Sequence, residues 1–280
     1  MRGGRFSRIY VEITNCCNLR CDFCPGTRRP PAFLAPADFA RMAPQLKAHT
    51  DYVYLHVMGE PLLHPALGEI LDLCGENGLR ACVTTNGTLL PAAGQILRHR
   101  AIHKVSVSLH SMEGNGREDL FDYLSGVWDF CRTGTMIRCL RLWNLGGADR
   151  RNEEILDFLR ERLGRDPLET PATWPGVWVL GDRFFLEQAE RFDWPDLRSE
   201  EAAVQFCQGL RTQAAVLVDG TVVPCCLDHE GDIPLGNLLE RPLEEILAGP
   251  RARAVYDGFS RRRPTEELCR RCGYATRFSR

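Results

Sequence analysis

The sequence has almost no net charge: 35 Lys and Arg stand against 37 Asp and Glu, leaving −2 over 280 residues. Nucleic-acid binding rests on a basic excess, so nothing here points to that class. The short Arg261-Arg262-Arg263 run reads as a solvated face. No apolar stretch approaches the roughly 18 residues that a membrane helix needs, and no charged-then-apolar leader opens the chain. A cytoplasmic, non-membrane protein is therefore expected. Internal repeats and low-complexity segments are also missing. Apolar content of 44% and charged content of 26% are ordinary for a globular chain. What the sequence does carry is cysteine, 13 in all. In a chain of this size without a leader, metal or redox use accounts for them better than disulfides do.

Three of the cysteines, Cys17, Cys21 and Cys24, are spaced C-x3-C-x2-C after the apolar run Ile9-Tyr10-Val11-Glu12-Ile13. Three thiolates leave one iron of a [4Fe–4S] cube without a protein ligand, whereas clusters that only carry electrons take four. A zinc site or buried thiols are the alternatives, but zinc prefers four ligands in a closed site. The run from Glu12 to Pro25 resembles the radical S-adenosyl-L-methionine (SAM) superfamily. That resemblance implies an open iron chelated by SAM, whose reductive cleavage gives a 5′-deoxyadenosyl radical that abstracts hydrogen from a substrate.

Short β-branched runs at 7–13, 51–57, 79–84, 103–109, 134–142 and 176–181 alternate with amphipathic stretches near 37–48, 66–77, 91–98, 117–131 and 151–163. Repeated βα units predict a parallel α/β sheet with helices outside. Six units are too few for a closed eight-stranded barrel and fit the partial (β/α)6 TIM-like barrel that the resemblance implies. After residue 195 the pattern changes, which predicts a barrel domain over 1–195 and a small β-hairpin-plus-helix domain over 196–280. Asp219-Gly220 suggests a hairpin with a type I′ turn.

Met58-Gly59-Glu60-Pro61 resembles the family's GGEP motif, with Met58 in place of the first glycine. Gly59, Glu60 and Pro61 are thereby expected to hold the ammonium of SAM, a carboxylate beside a cation. Thr84-Thr85-Asn86-Gly87 looks like the family's TNG turn and brings in Asn86. In the fourth strand Ser106, Ser108 and His110 alternate with Val105, Val107 and Leu109. By resemblance Ser108 would meet SAM's carboxylate or ribose, with His110 a further candidate. Arg138 and Arg141 lie on opposite faces of the fifth strand, and Arg141, nearer its C-terminal end, is the expected inward cation. Cys139 shares that face; it is a core residue or a thiol able to return a hydrogen atom.

Cys207, Cys225, Cys269 and Cys272 form a second set. Their order resembles the twitch appendage, a shortened SPASM domain holding one auxiliary [4Fe–4S] cluster; a zinc knob is the alternative. The sequence ends eight residues after Cys272, so no second auxiliary cluster is expected. Cys226 adjoins Cys225 and is read as a spare thiol or as a ligand in place of one of the four. Cys74, Cys82 and Cys131 read as core residues. The aromatic segment Trp174 to Trp194, with Trp178, Phe184, Phe185 and Phe192, floors a cavity or packs barrel against appendage.

The expected function is that of a radical SAM oxidoreductase with two [4Fe–4S] clusters, acting on a small molecule or short peptide. The layout resembles 2-deoxy-scyllo-inosamine dehydrogenase-type twitch enzymes, which implies dehydrogenation assisted by the auxiliary cluster. A flavodoxin- or ferredoxin-type electron donor is implied as well. The alternatives are a peptide-modifying maturase, a radical epimerase, and a non-catalytic iron–sulfur or zinc scaffold.

Overall fold

Runs of β-branched and aromatic residues bounded by Gly, Pro, Asn and Asp set the strands of this protein. The structure, a computed structural model, describes residues 5–116, 119–147 and 149–278. Five strands, β1 (Arg8–Val11), β2 (Tyr52–Tyr54), β3 (Arg80–Thr85), β4 (Ile102–Ser108) and β5 (Ile137–Leu145), follow one another in space and run parallel. Helices α1 (Pro36–His49), α2 (Leu67–Glu76), α3 (Leu90–Ala93) and α4 (Leu120–Cys131) connect them, and α5 (Asn152–Leu163) follows β5. In α1 the buried residues are Phe39, Met42, Ala43 and Leu46, and in α2 Leu67, Ile70, Leu71 and Cys74. That is one helical stripe in each case, laid against the sheet. Part of the predicted helix 117–131 lies outside the described residues; the rest is α4.

The sixth parallel strand departs from expectation. The segment predicted for it is β6 (Val177–Gly181), which pairs antiparallel with the next strand, β7 (Phe184–Glu190). It is β7 that lies parallel beside β5, Arg141 opposite Glu187. A two-residue reversal at Asp182-Arg183, with Arg183 at φ +49°, makes this hairpin.

The appendage continues the same sheet. Strand β8 (Gln213–Val216) pairs parallel with β1, Arg8 opposite Gln213, and β9 (Thr221–Val223) and β10 (Gly236–Asn237) follow antiparallel. The strand order is β10-β9-β8-β1-β2-β3-β4-β5-β7-β6. Among the described residues its two ends do not pair, so the barrel stays open. The β8–β9 turn is not type I′: Gly220 N–H bonds the Leu217 carbonyl at 2.9 Å, and only Gly220, at φ +88°, adopts positive φ. That is a type I turn followed by a left-handed glycine. Helices α6 (Leu243–Leu247), α7 (Pro250–Ser260) and α8 (Glu267–Arg270) pack over this end. No described helix is long and apolar enough to cross a membrane.

Candidate functional site

The cysteine loop leaves the C-terminal end of β1, where parallel α/β sheets place their ligands. Cys17 and Cys24 are exposed and Cys21 is half-buried. Each sulfur receives an N–H donor. Leu19 N–H reaches Cys17 Sγ at 3.5 Å, Asn115 Nδ2 reaches Cys21 Sγ at 2.9 Å, and the Gly26 amide bonds Cys24. Asn86 Nδ2 adds a second donor to Cys17 at 3.9 Å. Cys21 Sγ also lies 3.9 Å from the Ser111 carbonyl, but Cys16 differs in meeting only oxygens, Asn15 Oδ1 at 4.0 Å and the Ala32 carbonyl at 3.9 Å. Burial raises the Cys21 thiol to about 11 against the pull of Asn115 and Ser111, with Cys17 and Cys24 close enough to oppose its ionisation. Sulfurs that face donors and repel one another as anions fit a compensating metal cluster, which stabilises thiolates. Cys17, Cys21 and Cys24 have that chemistry; Cys16 does not.

Two turns brace this loop. A Cβ on Gly59, at φ +78°, would sit 2.4 Å from the Thr14 carbonyl oxygen and 2.8 Å from that of Cys16, so only glycine allows this approach. Glu60 N–H then donates to the Cys16 carbonyl at 2.8 Å. The Glu60 side chain, only 1% exposed, does not reach out towards a ligand. Its carboxylate accepts from Thr85 Oγ1 at 2.8 Å, Leu62 N–H at 3.1 Å and Asn86 N–H at 2.7 Å, stapling the end of β3 to the turn that Pro61 opens. Burial without a cation raises its pKa. Asn86 in turn donates to Asn18 Oδ1 at 2.9 Å, tying the TNG turn to the cysteine loop.

Beneath the loop lies a cavity of about 410 Å3 along the inner face of the sheet. Phe23, from the cysteine loop, and His110, from the end of β4, mark its upper end, their rings 4.7 Å apart. Ser108 also lines it, so the polar face of β4 points inward while Val105, Val107 and Leu109 are buried. His110 Nδ1 donates to the Arg141 carbonyl, 3.2 Å away, and burial holds its pKa down to about 4. Arg141 points into the cavity, its Nε 3.0 Å from Glu187 Oε2 and its guanidinium 4.5 Å over the Trp143 ring. Lys104 shares Glu187 at 2.7 Å, and with Arg141 it holds that carboxylate, despite burial, down to about 2. Arg138 faces the other way and bonds the carbonyls of Cys131, Gly134, Met136 and Asp182.

Of the two readings of Cys139, its placement fits the core one. It is fully buried, 3.6 Å from the Leu140 carbonyl, and forms no part of the cavity wall. The thiol on the wall is Cys226. In the bend and turn after β9, Cys225 lies among the other cysteines while Cys226 lines the cavity, where it meets the Tyr10 hydroxyl. Of the aromatic segment, Phe192 and Trp194 line the cavity, Phe184 is buried outside it, and Trp174 is 75% exposed.

The second cysteine set comes together although its members are far apart in sequence. Ionisation of Cys225 is opposed first by burial and then by Cys207, Cys226, Cys272 and Cys269, which keeps its pKa well above the ordinary thiol value. Cys269 is raised by burial and then by Cys207, Cys272, Asp228 and Glu266. Gly209 N–H bonds Cys207 Sγ at 3.4 Å, and backbone amides of Ala275 and Tyr274 reach Cys272. The four thiols, three half-buried and Cys272 buried, have the donor chemistry of a closed metal centre, although among the described residues they are not drawn together tightly enough to form one.

One connection between the two cysteine regions was not anticipated. Glu12, fully buried, forms a bidentate pair with Arg29 at 2.7 Å on both oxygens. The same carboxylate accepts from Met58 N–H at 3.2 Å and from Val218 N–H, 206 residues away, at 3.1 Å. Arg29 Nε also donates to the His229 carbonyl at 2.8 Å. A lone charge in an apolar strand was the available signal.

Comparisons with known proteins agree with this geometry. Residues 11–135 match the radical SAM superfamily and residues 207–273 match an iron–sulfur cluster-binding (SPASM) domain. GTP 3′,8-cyclase of Alkaliphilus oremlandii is 28% identical over 174 residues, 56% of this chain and 52% of that protein. The chain thus spans about half the length of that relative. The SAM-dependent 2-deoxy-scyllo-inosamine dehydrogenase of Niallia circulans is 25% identical over 86% of this chain and 82% of its own. A crystal structure of BtrN in complex with AdoMet and 2-DOIA superposes with a TM-score of 0.65, at 20% identity, over 95% of this chain and 92% of that one. Residues 11–135 of this chain thus belong to the radical SAM superfamily, and residues 207–273 to an iron–sulfur cluster-binding (SPASM) domain.

Proposed function

We propose that this chain is a radical SAM oxidoreductase that removes hydrogen from a small molecule held in the cavity, with one auxiliary cluster assisting. The observation that carries this reading is the opening of a three-sulfur loop onto the upper end of a largely apolar cavity with a polar inner wall. Cys17, Cys21 and Cys24 would hold a [4Fe–4S] cluster, and Cys207, Cys225, Cys269 and Cys272 a second, closed one. Bound together, the open cluster and SAM supply hydrogen-atom abstraction after one-electron reduction, from a flavodoxin- or ferredoxin-type donor. Gly59, Glu60, Pro61 and Asn86 shape the cofactor's edge, the backbone in front and the Glu60 carboxylate from behind. Ser108 and His110 offer hydrogen bonds at the cavity's upper end. His110, held neutral at pH 7, keeps one ring nitrogen able to accept. Arg141, fixed by Glu187, presents a cation to the substrate's oxygen, where loss of a proton and an electron would complete a dehydrogenation. Similarity to the inosamine dehydrogenase over most of both chains supports this assignment over the peptide-modifying one.

A redox-neutral epimerisation is the second reading, and Cys226 is what favours it, since a wall thiol can return a hydrogen atom to a substrate radical. Turnover in deuterated water separates the two. Epimerisation places solvent deuterium on the product carbon, while dehydrogenation gives a product two electrons more oxidised with none there. Release of 5′-deoxyadenosine by neither route would overturn both.

A further inference from the structure

The charges on the cavity wall are unbalanced. Arg8, Arg141 and Arg191 line it, and among the described residues no Asp or Glu does. Its two histidines are neutral at pH 7, with His56 pushed down to about 3 and His110 to about 4, chiefly by burial. Arg141 is matched by Glu187 from beneath. Arg191 lies 3.9 Å from Asp22. Arg8 has no ion pair and no side-chain hydrogen bond among the described residues, and its Nε is buried without a partner. The guanidinium lies 5.4 Å over the Tyr54 ring, near Tyr10, Cys226 and Tyr274. His56 Nδ1, also on the wall, is a second buried nitrogen without a partner, its ring edge-on to Tyr10 at 5.5 Å. Arg8 starts β1 while the cysteine loop leaves the other end of that strand, so this corner lies away from the cluster.

A half-buried guanidinium without an anionic partner, its Nε shut off from water, offers a fork of donors that matches a carboxylate or phosphate. We propose that the substrate carries a compact oxyanion, which Arg8 receives at the far end of the cavity with Tyr10, Tyr54 and His56 around it. This rests on the reading of the cavity as the substrate site. It makes an amine-bearing substrate a poor fit here, because no carboxylate on the wall would meet an ammonium group.

The test is anaerobic calorimetry on the full chain with its clusters, first titrated with SAM and then, with SAM saturating, with inorganic phosphate, succinate or 1,3-diaminopropane at low chloride. The anions are expected to bind one per chain, and whichever binds more tightly identifies the source of the charge. Arg8→Met should weaken that binding about tenfold or more, the loss of a hydrogen bond to a charged group, and Arg8→Lys should restore part of it. Unchanged affinity in Arg8→Met would overturn the proposal. So would binding of diaminopropane in preference to both anions, a result that needs no variant to fold. If SAM binds and neither anion does, the anion inference fails while the radical SAM reading stands. If SAM itself does not bind, both fail.

Discussion

The two cysteine regions use the same side chain in opposite ways. In the N-terminal loop two of the three sulfurs are exposed, all three receive N–H donors, and the loop opens on a cavity. In the C-terminal set Cys207, Cys225 and Cys269 are half-buried and Cys272 is buried; the ionisation of Cys225 is opposed by all the others, and the one cysteine that faces the cavity is a fifth, Cys226. An open centre can exchange ligands with a substrate or cofactor; a closed one can only move electrons or brace its surroundings. Ligand count and exposure together therefore divide the labour.

The strongest test of that contrast is compositional. Anaerobically reconstituted protein should hold about eight irons. Replacing Cys17, Cys21 and Cys24 by Ala should remove half of the iron and all formation of 5′-deoxyadenosine. Replacing Cys207, Cys225, Cys269 and Cys272 should remove the other half. Zinc in the second set, by elemental analysis, would break the comparison at its closed end.

A smaller effect should come from the link between the regions. Arg29→Met leaves the Glu12 carboxylate buried without its cation, a loss of about 3–5 kcal/mol in urea unfolding. Glu12→Gln in the same protein should recover part of it. Loss of iron from both regions together in Arg29→Met would show that the pair braces them jointly, and loss from the first alone would confine it to the loop.

Glu60→Ala should act on the open region only, weakening SAM binding by about 1.5–3 kcal/mol in calorimetry. Because the carboxylate is spent on Thr85, Leu62 and Asn86, Glu60→Gln should also weaken SAM, by misplacing the turn; an unchanged affinity in both variants would leave the turn without a part in binding. The smallest predicted effect concerns Asn115. Without its amide, Cys21 loses its donor, and Asn115→Ala should lower the potential of the first cluster by on the order of tens of millivolts. An EPR-monitored redox titration should find the second cluster unmoved.

Much of this was readable in the sequence where periodicity is strict. The stripes of α1 and α2 and the alternation of β4 and β5 place their side chains as the spacing says, including Arg141 inward and Arg138 outward. The same alternation applied to β1 would have found Arg8 and Tyr10. Strand β7 was missed because Phe184-Phe185-Leu186 carries no alternation and its turn uses Arg183, not glycine, at positive φ. Asn115 was marked only by a Gly-Asn-Gly turn, and the Glu12–Arg29 pair depends on docking between distant segments, which no local pattern records.

The pairing of β1 with β8 has a consequence for how the protein is made. At about 5–20 residues per second of synthesis, a partner some two hundred residues downstream arrives on the order of 10–40 s after β1 has left the ribosome. Until then one edge of the strand that carries the cysteine loop offers unpaired amides and carbonyls, an invitation to the wrong neighbour. For that interval Cys17, Cys21 and Cys24 have been made while Cys207, Cys225, Cys269 and Cys272 have not, so the open loop exists before the set that would close the second centre.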